Sequence, residues 1–464
     1  MTNIGKADAP LLTAISVIGL GKLGLPLAAA VASKGYRVVA VDTDPHIVQL
    51  INCGQSPIFE PGLTELLQQS RERLRATTHA EEAVLDTEVT FIVVPTPSDE
   101  HGGFSLCHVE KACESVANAL QEKRGFHLVA LTSTVMPGAT GNVIKPLLEK
   151  RTGKQCGTDF GLCYSPEFIA LGSVIHDFLN PDFVLIGESD DRSGDFLEGL
   201  YNRVCENSPK VVRMNLVNAE LTKIAVNTYV TTKISFANMI ARICERLPGG
   251  NVDVVTSALG LDSRIGSKYL KGAVGYGGPC FPRDNKALSA CAKSIGASAG
   301  LAEATDAFNR QEVEQLANIV KSNLPQGGSV GILGLAYKPN TDVIDESQGL
   351  LLAKALASCG IPVVTYDPAA LHNAKRNLNS QVTYASSAID CIRAADVVIV
   401  ATPWEEFQNL DVRDFDRHSS PRVLIDCWRI YDARKFNAGV RYVPTGIGIV
   451  DRDIRRNADD LLDS

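Results

Sequence analysis

The feature that most constrains the fold of this chain is a glycine-rich segment set between an apolar run and a helical pattern. Residues 19–24 read Gly-Leu-Gly-Lys-Leu-Gly and follow the apolar run Ile15–Gly19. The helix-like stretch Leu25–Lys34 comes next. Strand patterns then recur, rich in Val and Ile, at Tyr36–Asp42, Glu88–Val94 and His127–Leu131. Strands separated by helices of this length predict a parallel sheet covered on both faces, the doubly wound α/β arrangement.

The same glycine-rich segment predicts a dinucleotide site. Gly19 allows the tight turn, Gly21 lets the backbone approach a pyrophosphate, and Gly24 lets helix and strand pack closely. The helix N-terminus offers N–H groups to the phosphates. Asp42 would accept hydrogen bonds from the adenosine ribose and would repel a 2′-phosphate, so NAD is favoured over NADP. The predicted NAD contacts in this region are Gly19, Gly21, Lys22, Leu23, Gly24 and Asp42.

The rest of the chain has the pattern of a helical middle followed by a second α/β segment. Val217–Cys244 keeps a helical pattern without Gly or Pro, either as one helix about 42 Å long or as a kinked pair of helices. Strand patterns then return at Ser329–Leu335, Val363–Asp367, Val397–Thr402 and Arg422–Asp426. In this segment Gly331–Ala336 lacks the middle glycine, so no second dinucleotide site is predicted there.

We therefore predict an α/β protein with two Rossmann-like doubly wound domains, joined by a central helical domain that contains a long helix. The expected boundaries are an N-terminal NAD-binding domain over 1–214, a central helical domain over 215–322, a C-terminal Rossmann-like domain over 323–450 and a charged tail over 451–464.

Composition narrows the possible functions. Lys and Arg number 45 against 53 Asp and Glu, a formal net charge of −8, so the chain lacks the basic excess that nucleic acid binding requires. There is no run of about 18 apolar residues and no signal-peptide pattern, so no membrane segment is expected. The twelve cysteines are scattered without a CxxC pair, which predicts reduced thiols in the cytoplasm and no metal site.

The segment Gly275–Asp284, with the sequence GYGGPCFPRD, contains a candidate nucleophile. Two adjacent glycines precede Cys280, and the Asp284 carboxylate follows four residues later. Arg283 or a lysine from elsewhere would supply the positive charge that a reactive thiolate needs. In a dehydrogenase such a thiol adds to an aldehyde, and a second hydride transfer then leaves a thioester. A packing role for Cys280 is the alternative interpretation.

Ten ordered motifs give the chain a resemblance to the nucleotide-sugar 6-dehydrogenases, the UDP-glucose/GDP-mannose dehydrogenase family, over roughly residues 14–450. They are GLGKLGLP (19–26), SPIFEPGL (56–63), VPTP (94–97), STVMPGAT (133–140), SPEF (165–168), FLNPD (178–182), AELTKIAVNT (219–228), DSRIG (262–266), GYGGPCFPRD (275–284) and GLAYKPNTD (334–342). The resemblance implies a four-electron, two-NAD oxidation of a sugar C6 alcohol to the carboxylate, without release of the aldehyde.

The resemblance also implies roles for individual residues. Cys280 is expected to form the thioester, and Lys223 and Asn227 to stabilise the oxyanion of the tetrahedral intermediates. Asp284 is expected to take part in proton transfer, and Glu167 to work with water in thioester hydrolysis.

Thr134 is expected to help hold that water near the nicotinamide, and Thr96, Thr134 and Arg283 match positions near NAD. The residues expected to contact the nucleotide sugar are Glu167, Phe168, Lys223, Asn227, Arg264, Tyr269, Gly277 and Lys338. Arg264 matches an arginine that reaches the neighbouring subunit's sugar pocket in relatives, so a homodimer or a larger homo-oligomer is expected.

The motifs GGxCFPxD and DSRIG resemble the UDP-glucose branch of the family best, which makes UDP-glucose the leading expected substrate and UDP-glucuronate the product, for polysaccharide or glycan synthesis. UDP-N-acetylhexosamine and GDP-mannose are the alternatives, because three residues near the pockets depart from the family pattern: Leu171, Asp345 and Trp428. Two other kinds of protein are alternatives: a two-electron dehydrogenase and a nucleotide-sugar-binding protein that has lost catalysis.

Overall fold

The structure is a computed structural model and describes residues 13–378, 382–417, 421–436 and 440–448. The described residues form two compact units. One contains the residues up to Val226 together with Ala290–Gly296, and the other contains Asn227–Ser289 together with the residues from Ala297 on. The division into three domains stays a prediction, and the predicted tail over 451–464 lies outside the described residues. Within the described ranges, no helix combines the length and apolar character needed to cross a bilayer.

The first unit is built on a sheet of eight strands. These are β1 (Ala14–Ile18), β2 (Arg37–Val41), β3 (Leu74–Thr77), β4 (Val89–Ile92), β5 (Leu128–Leu131), β6 (Gly161–Tyr164), β7 (Phe183–Glu188) and β8 (Lys210–Asn215). Their order is β3-β2-β1-β4-β5-β6-β7-β8. All pairings are parallel except that of β6 with β7, which is antiparallel, so β7 and β8 extend a doubly wound six-stranded core.

Helices cover both faces of this sheet because its strands are apolar on both sides. They are α1 (Gly24–Ser33), α2 (Pro45–Asn52), α3 (Leu63–Gln69), α4 (Ala80–Leu85), α5 (Cys107–Glu122), α6 (Lys145–Thr152), α7 (Val174–Leu179) and α8 (Asp191–Val204). Val17 shares one buried cluster with Ala28 of α1, and Ile18 shares another with Val109 of α5. Successive strand residues therefore pack against opposite layers.

Four helices lie between the two sheets in the sequence: α9 (Leu216–Arg246), α10 (Val252–Leu261), α11 (Phe281–Ser294) and α12 (Gly300–Asn323). The long helical pattern is thus one continuous helix of 31 residues rather than a kinked pair. Asn251 begins α10 by accepting hydrogen bonds from the N–H groups of Asp253 and Val254.

The second sheet has six strands and lies in the second unit. Its strands are β9 (Val330–Leu333), β10 (Val363–Tyr366), β11 (Val382–Tyr384), β12 (Val397–Val400), β13 (Arg422–Asp426) and β14 (Val440–Pro444), in the order β11-β10-β9-β12-β13-β14. Its helices are α13 (Gln348–Ser358), α14 (Leu371–Lys375), α15 (Ala388–Arg393), α16 (Glu405–Gln408) and α17 (Ala433–Phe436). The prediction of two Rossmann-like parallel sheets around a helical middle is confirmed.

Candidate active site

The turn after β1 has the geometry of a dinucleotide-binding loop. Gly19 has φ +97°, a backbone conformation that glycine adopts readily. A Cβ on Gly24 would lie 1.9 Å from the carbonyl oxygen of Gly19, so helix α1 packs directly on the turn. A Cβ on Gly21, in contrast, would meet nothing within 4 Å. The open side of Gly21 at a helix N-terminus is where a pyrophosphate would approach, and the residues present therefore fit NAD.

Asp42 lies at the end of β2 beside this turn. Its Oδ2 accepts a hydrogen bond from the Leu20 N–H at 3.0 Å, and its Oδ1 accepts one from the Asp44 N–H at 3.0 Å. The residue is half-buried, as are Lys22 and Leu23. One carboxylate therefore steadies the glycine turn and keeps acceptor capacity for ribose hydroxyls.

The segments that follow β4 and β5 carry Thr96 and Thr134. The Thr96 hydroxyl donates to the Thr134 carbonyl oxygen at 2.8 Å, which joins the two segments. Glu220 of α9, a residue absent from the sequence-based predictions, accepts from the N–H groups of Gly138 at 2.5 Å and Thr140 at 2.7 Å. It is fully buried, and burial raises the pKa of its carboxyl. Glu220 thus ties the turn that follows Thr134 to helix α9.

Glu167, Phe168 and Lys223 come together within the first unit. The Lys223 ammonium donates to the carbonyl oxygen of Glu167 at 2.6 Å and lies 4.7 Å from the centroid of the Phe168 ring. Burial raises the pKa of the Glu167 carboxyl to about 7, while a hydrogen bond from Tyr201 and the charge of Lys223 act in the opposite direction. A carboxyl with a pKa near neutrality is suited to general base catalysis.

Cys280 is exposed and immediately precedes α11. Its carbonyl oxygen accepts from the Asp284 N–H at 2.8 Å, which places the cysteine at the N-cap of the helix. The positive end of a helix dipole favours a thiolate there. Exposure at a helix N-terminus argues against the packing alternative. Three other cysteines, Cys53, Cys107 and Cys359, are also exposed, so exposure alone does not single out Cys280.

The loop that leads to Cys280 is held by neighbours within the second unit. The Asn309 side chain of α12 accepts from the Tyr276 N–H at 2.8 Å and donates to the Tyr276 carbonyl oxygen at 2.9 Å. A Cβ on Gly277 would lie 2.4 Å from the Glu346 carbonyl oxygen. One on Gly278 would lie 2.7 Å from the Tyr337 ring. The glycines therefore permit close contact with the loop after β9.

The acid–base candidates around Cys280 form a buried group. The Asn227 amide donates to the Asp284 carboxylate at 2.6 Å, and Arg283 Nε lies 3.6 Å from the other oxygen of Asp284. Both Asn227 and Asp284 are buried. Asn227 lies one helical turn after Lys223 in α9.

The predicted sugar contacts in the second unit differ in their surroundings. Tyr269 has φ +66° and packs edge to face against Phe281, the residue after Cys280, with ring centroids 6.3 Å apart. Lys338 follows Tyr337 in the loop that packs on Gly278, and is half-buried. Arg264 is exposed and forms an ion pair with Asp262 at 2.6 Å. The site roles inferred from the sequence stay predictions.

Two of the departures from the family pattern have structural roles. The indole N–H of Trp428 donates to the Ala401 carbonyl oxygen at 2.9 Å. The next residue, Arg429, pairs with Asp253 at 2.7 Å and donates to the carbonyl oxygens of Lys271 and Gly272. Arg429 therefore fastens α10 and the segment after it to the end of β13. At the second of these departures, the Asp345 backbone carbonyl oxygen accepts from the Gly278 N–H at 2.8 Å.

Sequence reasoning missed residues that act through contacts distant in sequence. Tyr201 donates to Glu167 from a helix 34 residues away, and Asn309 reaches Tyr276 across 33 residues. Neither lies in a quoted motif. Glu220 was detectable, because it lies inside the motif AELTKIAVNT, but nothing in the sequence showed which backbone it binds.

Comparison with known proteins agrees with this geometry. Three models of the UDP-glucose/GDP-mannose dehydrogenase family match the chain: the NAD binding domain at 13–205, the central domain at 217–311 and the UDP binding domain at 331–433. A UDP-glucose 6-dehydrogenase of Haloferax volcanii is 39% identical over 425 residues, 91% of this chain and 98% of the relative. A GDP-mannose 6-dehydrogenase of Pseudomonas syringae is 34% identical over 85% of this chain and 92% of the relative.

A solved structure of a UDP-glucose dehydrogenase from Pyrobaculum islandicum is also similar. It superposes with a TM-score of 0.84 at 34% identity, and the match covers 95% of this chain and 98% of that one. The predictions of the family, of NAD as cofactor and of an NAD-dependent dehydrogenase that acts on a nucleotide sugar are confirmed. The chain belongs to the UDP-glucose/GDP-mannose dehydrogenase family.

Proposed function

We propose that this protein oxidises the C6 alcohol of UDP-glucose to the carboxylate of UDP-glucuronate, through a thiohemiacetal and then a thioester on Cys280. The observation that carries the proposal is the exposed Cys280 thiol at the N-terminus of α11, beside the buried pair of Asn227 and Asp284. A dehydrogenase that only exchanges an alcohol and an aldehyde has no use for a nucleophilic thiol. NAD, when bound at the Gly19–Gly24 turn, accepts one hydride in each oxidation.

Each step then has a residue to perform it. A base, for which Asp284 is the candidate, removes the hydroxyl proton during the first oxidation. The Cys280 thiolate adds to the aldehyde carbon, and Lys223 and Asn227 stabilise the oxyanion. The second oxidation leaves the thioester. Water then attacks the acyl carbon, Glu167 takes a proton from that water, and the C–S bond breaks to regenerate the thiolate.

UDP-glucose is proposed as the substrate because the Haloferax volcanii relative carries that name and because a UDP binding domain model matches residues 331–433. GDP-mannose is the second candidate, since a GDP-mannose 6-dehydrogenase is 34% identical over 411 residues. A panel of UDP-glucose, UDP-N-acetylglucosamine, UDP-N-acetylmannosamine and GDP-mannose with NAD tests this choice. We expect UDP-glucose to give the highest kcat/KM, and a preference for another sugar nucleotide would overturn it.

The covalent mechanism is tested by the stoichiometry of NADH and by mass spectrometry of the intact protein. We expect two NADH per uronate and an acyl adduct on Cys280 during turnover. Cys280→Ser should abolish uronate formation, whereas the matched controls Cys53→Ser and Cys359→Ser, which also replace exposed thiols, should retain full activity. Full activity in Cys280→Ser, or one NADH per product, would refute the mechanism.

We also propose that the protein forms a homodimer through α9 and α10. Exposed apolar side chains recur along one face of α9 at Tyr229, Phe236 and Ile243, and Leu247 directly after the helix is also exposed. Leu261 at the end of α10 is 88% exposed. An apolar stripe of this length on a charged protein suits a second copy of the same helix. Light scattering after gel filtration should give the dimer mass, and Phe236→Asp combined with Ile243→Asp should give monomers.

The proposed mechanism requires a reduced thiol at Cys280, which suits a reducing compartment, so we propose a cytoplasmic location. The product, a nucleotide-linked uronic acid, would serve polysaccharide or glycan synthesis. Fractionation of cells that express the protein, with the acyl adduct as a marker of the reduced enzyme, tests the location.

A further inference from the structure

A chain of two buried hydroxyls leads to the Glu167 carboxyl. Ser165 Oγ and Tyr201 Oη are 2.7 Å apart, and Tyr201 Oη donates to Glu167 Oε1 at 3.0 Å. Ser165 follows β6, and Tyr201 lies on α8, a helix fixed at its start by the Asp190 carboxylate. Tyr201 is 3% exposed and Ser165 is 1% exposed. The positions of these two hydroxyls are thus set by the strand that precedes Ser165 and the helix that carries Tyr201.

The number of protons on each group fixes which atom donates in these hydrogen bonds. A phenol has one proton, and an ionised carboxylate only accepts. With the Tyr201 proton given to Glu167 Oε1, the Ser165 hydroxyl must be the donor to Tyr201 Oη. Among the described residues, no hydrogen bond reaches the second carboxylate oxygen, Oε2. The network therefore holds one oxygen of Glu167 and leaves the other available for a water molecule.

Three ionisable groups in the described part of the chain interact electrostatically with Glu167: Lys223, Tyr201 and Cys205. Lys223 of α9 contributes a positive charge, although its ammonium binds the Glu167 carbonyl oxygen rather than the carboxylate. Cys205 lies directly after α8, and its thiol contacts the Phe178 carbonyl oxygen. Burial, together with the charge of Glu167, raises the pKa of this thiol to about 12. Tyr201 has a pKa well above its usual value because it is buried beside the same carboxylate. Both Cys205 and Tyr201 therefore stay neutral, and they present no charge that opposes ionisation of Glu167.

We propose that Tyr201, supported by Ser165, is a positioning residue for thioester hydrolysis: it orients the Glu167 carboxylate through Oε1 and stabilises its ionised form, so that Oε2 accepts the proton of the attacking water. The inference rests on the proposed role of Glu167. In the step itself, the water oxygen bonds to the acyl carbon and one of its protons passes to Oε2. The C–S bond breaks, and its electron pair leaves with the Cys280 sulfur.

The test is Tyr201→Phe in the full chain, which removes only the hydroxyl and retains the ring that packs against Phe178 at 6.3 Å. The decay of the acyl adduct on Cys280 is followed by rapid acid quench and mass spectrometry across a series of pH values. A lost hydrogen bond to a carboxylate disfavours its ionised form. In a plot of the decay rate against pH, the rate falls on the acid side as Glu167 is protonated, and we call this part the acid limb. We expect the acid limb to move to higher pH by about one unit. The decay should then be roughly tenfold slower at pH 6 and change by less than about twofold at pH 9.

Matched variants separate this inference from simpler explanations. Ser165→Ala should shift the limb in the same direction by a smaller amount, and it keeps the proposal testable if Tyr201→Phe does not fold. The Kd for NAD should stay within about twofold in both variants, because neither touches the glycine turn. An unchanged pH profile in both variants, or a uniform slowing at every pH, would overturn the proposal, since a purely structural role predicts no pH-selective effect.

Glu167→Gln distinguishes failure of this inference from failure of the proposed function. We expect that variant to accumulate the acyl adduct and to lose the acid limb. If it hydrolyses the adduct with the pH profile of the unmodified protein, Glu167 is not the base and the proposed mechanism fails. If Glu167→Gln behaves as expected while Tyr201→Phe and Ser165→Ala do not shift the limb, only the role of Tyr201 is refuted.

Discussion

The two Rossmann-like sheets share a turn of the same design but use it differently. After β1, Gly19 has φ +97°, and a Cβ on Gly24 would lie 1.9 Å from its carbonyl oxygen. After β9, Gly334 has φ +104°, and a Cβ on Gly349 would lie 2.1 Å from its carbonyl oxygen. Only residues 20–23 separate the first pair of glycines, whereas residues 335–348 separate the second. The second turn thus makes the same contact between its two glycines as the first, but it is ten residues longer. The longer segment includes Tyr337 and Lys338.

The acidic residue that follows the second strand of each sheet completes the comparison. Asp42 is half-buried and accepts two backbone N–H groups. Asp367 is 1% exposed, and it accepts five N–H groups, from Leu335, Ala336, Ala369, Ala370 and the indole of Trp404. The same carboxylate position is therefore open to a ribose in the first sheet and filled by the protein in the second. The enlarged second turn instead supplies side chains beside the Cys280 loop.

The largest effects should come from adding a methyl group at Gly24 or at Gly349, the two glycines whose helices pack on a turn. Gly24→Ala and Gly349→Ala should each lower the free energy of unfolding by about 3 kcal/mol, because the new Cβ meets a backbone carbonyl oxygen that cannot yield. Gly24→Ala should also weaken NAD binding at least about tenfold, whereas Gly349→Ala should leave the NAD Kd unchanged. Chemical denaturation and calorimetric titration with NAD measure the two quantities.

Gly21→Ala is the matched control for that pair. Its Cβ meets no atom within 4 Å, so stability should be unchanged while NAD binding weakens about tenfold, because the methyl group occupies the side open to the pyrophosphate. Equal loss of NAD affinity in Gly349→Ala and Gly24→Ala would contradict the division of labour between the two turns.

The two carboxylates should respond oppositely to loss of charge. In Asp367→Asn, either orientation of the amide points an NH2 group at two or three N–H donors, which should cost about 3 kcal/mol of stability without changing the NAD Kd. Asp42→Asn should cost less than about 1 kcal/mol. It should weaken NAD binding and reduce the preference for NAD over NADP. If Asp42→Asn and Asp367→Asn each lowered both the stability and the affinity for NAD, the two carboxylate sites would not differ as proposed.

A third contrast concerns equivalent positions at the start of β5 and β13. His127 precedes Leu128, which pairs with Val89, and Arg422 precedes Val423, which pairs with Val397. His127 Nδ1 lies 3.0 Å from the Thr87 carbonyl oxygen, so that nitrogen must carry the proton. Arg422 Nε donates to the Ala395 carbonyl oxygen at 2.8 Å. The two side chains thus bind the carbonyl oxygen of the residue two positions before the neighbouring strand. Of the two, only the imidazole has an unperturbed pKa near neutral pH.

Acidification should therefore weaken the first sheet before the second. Burial lowers the pKa of His127 to about 3, against about 6.5 in the unfolded chain. The unfolded state binds more protons between those values, so stability is complete above pH 6.5 and falls as the pH is lowered. The loss is about 2 kcal/mol between pH 7 and pH 5. Hydrogen exchange, corrected for its intrinsic pH dependence, should show faster opening of β4 and β5 at pH 5 and no change in β12 and β13. His127→Gln should remove this difference in opening between the two sheets. If the difference persists in that variant, His127 is not its cause.

Sequence alone predicts the parts of this comparison that depend on local patterns. The Gly19–Gly24 spacing and the apolar runs identify β1, α1 and the core strands, because a buried parallel strand must be apolar throughout. The equivalence of Gly334 and Gly349 was not detectable, because the ten extra residues remove the spacing that marks the motif. The antiparallel entry of β7, the burial of Asp367 and the hydroxyl chain to Glu167 depend on contacts between distant segments, which no local pattern encodes.

The loss of a single hydrogen bond tests how completely the protein fills the second carboxylate site. Trp404, which has no counterpart at Asp42, gives Asp367 Oδ2 its third donor at 3.1 Å. Trp404→Phe keeps an aromatic ring in a site that is 7% exposed and removes that donor, which should cost about 1.5 kcal/mol of unfolding free energy. Since the two backbone N–H groups still bind Oδ2, NAD affinity and the pH profile of turnover should not change. A loss as large as that of Asp367→Asn would mean that the indole, rather than the backbone, closes this site.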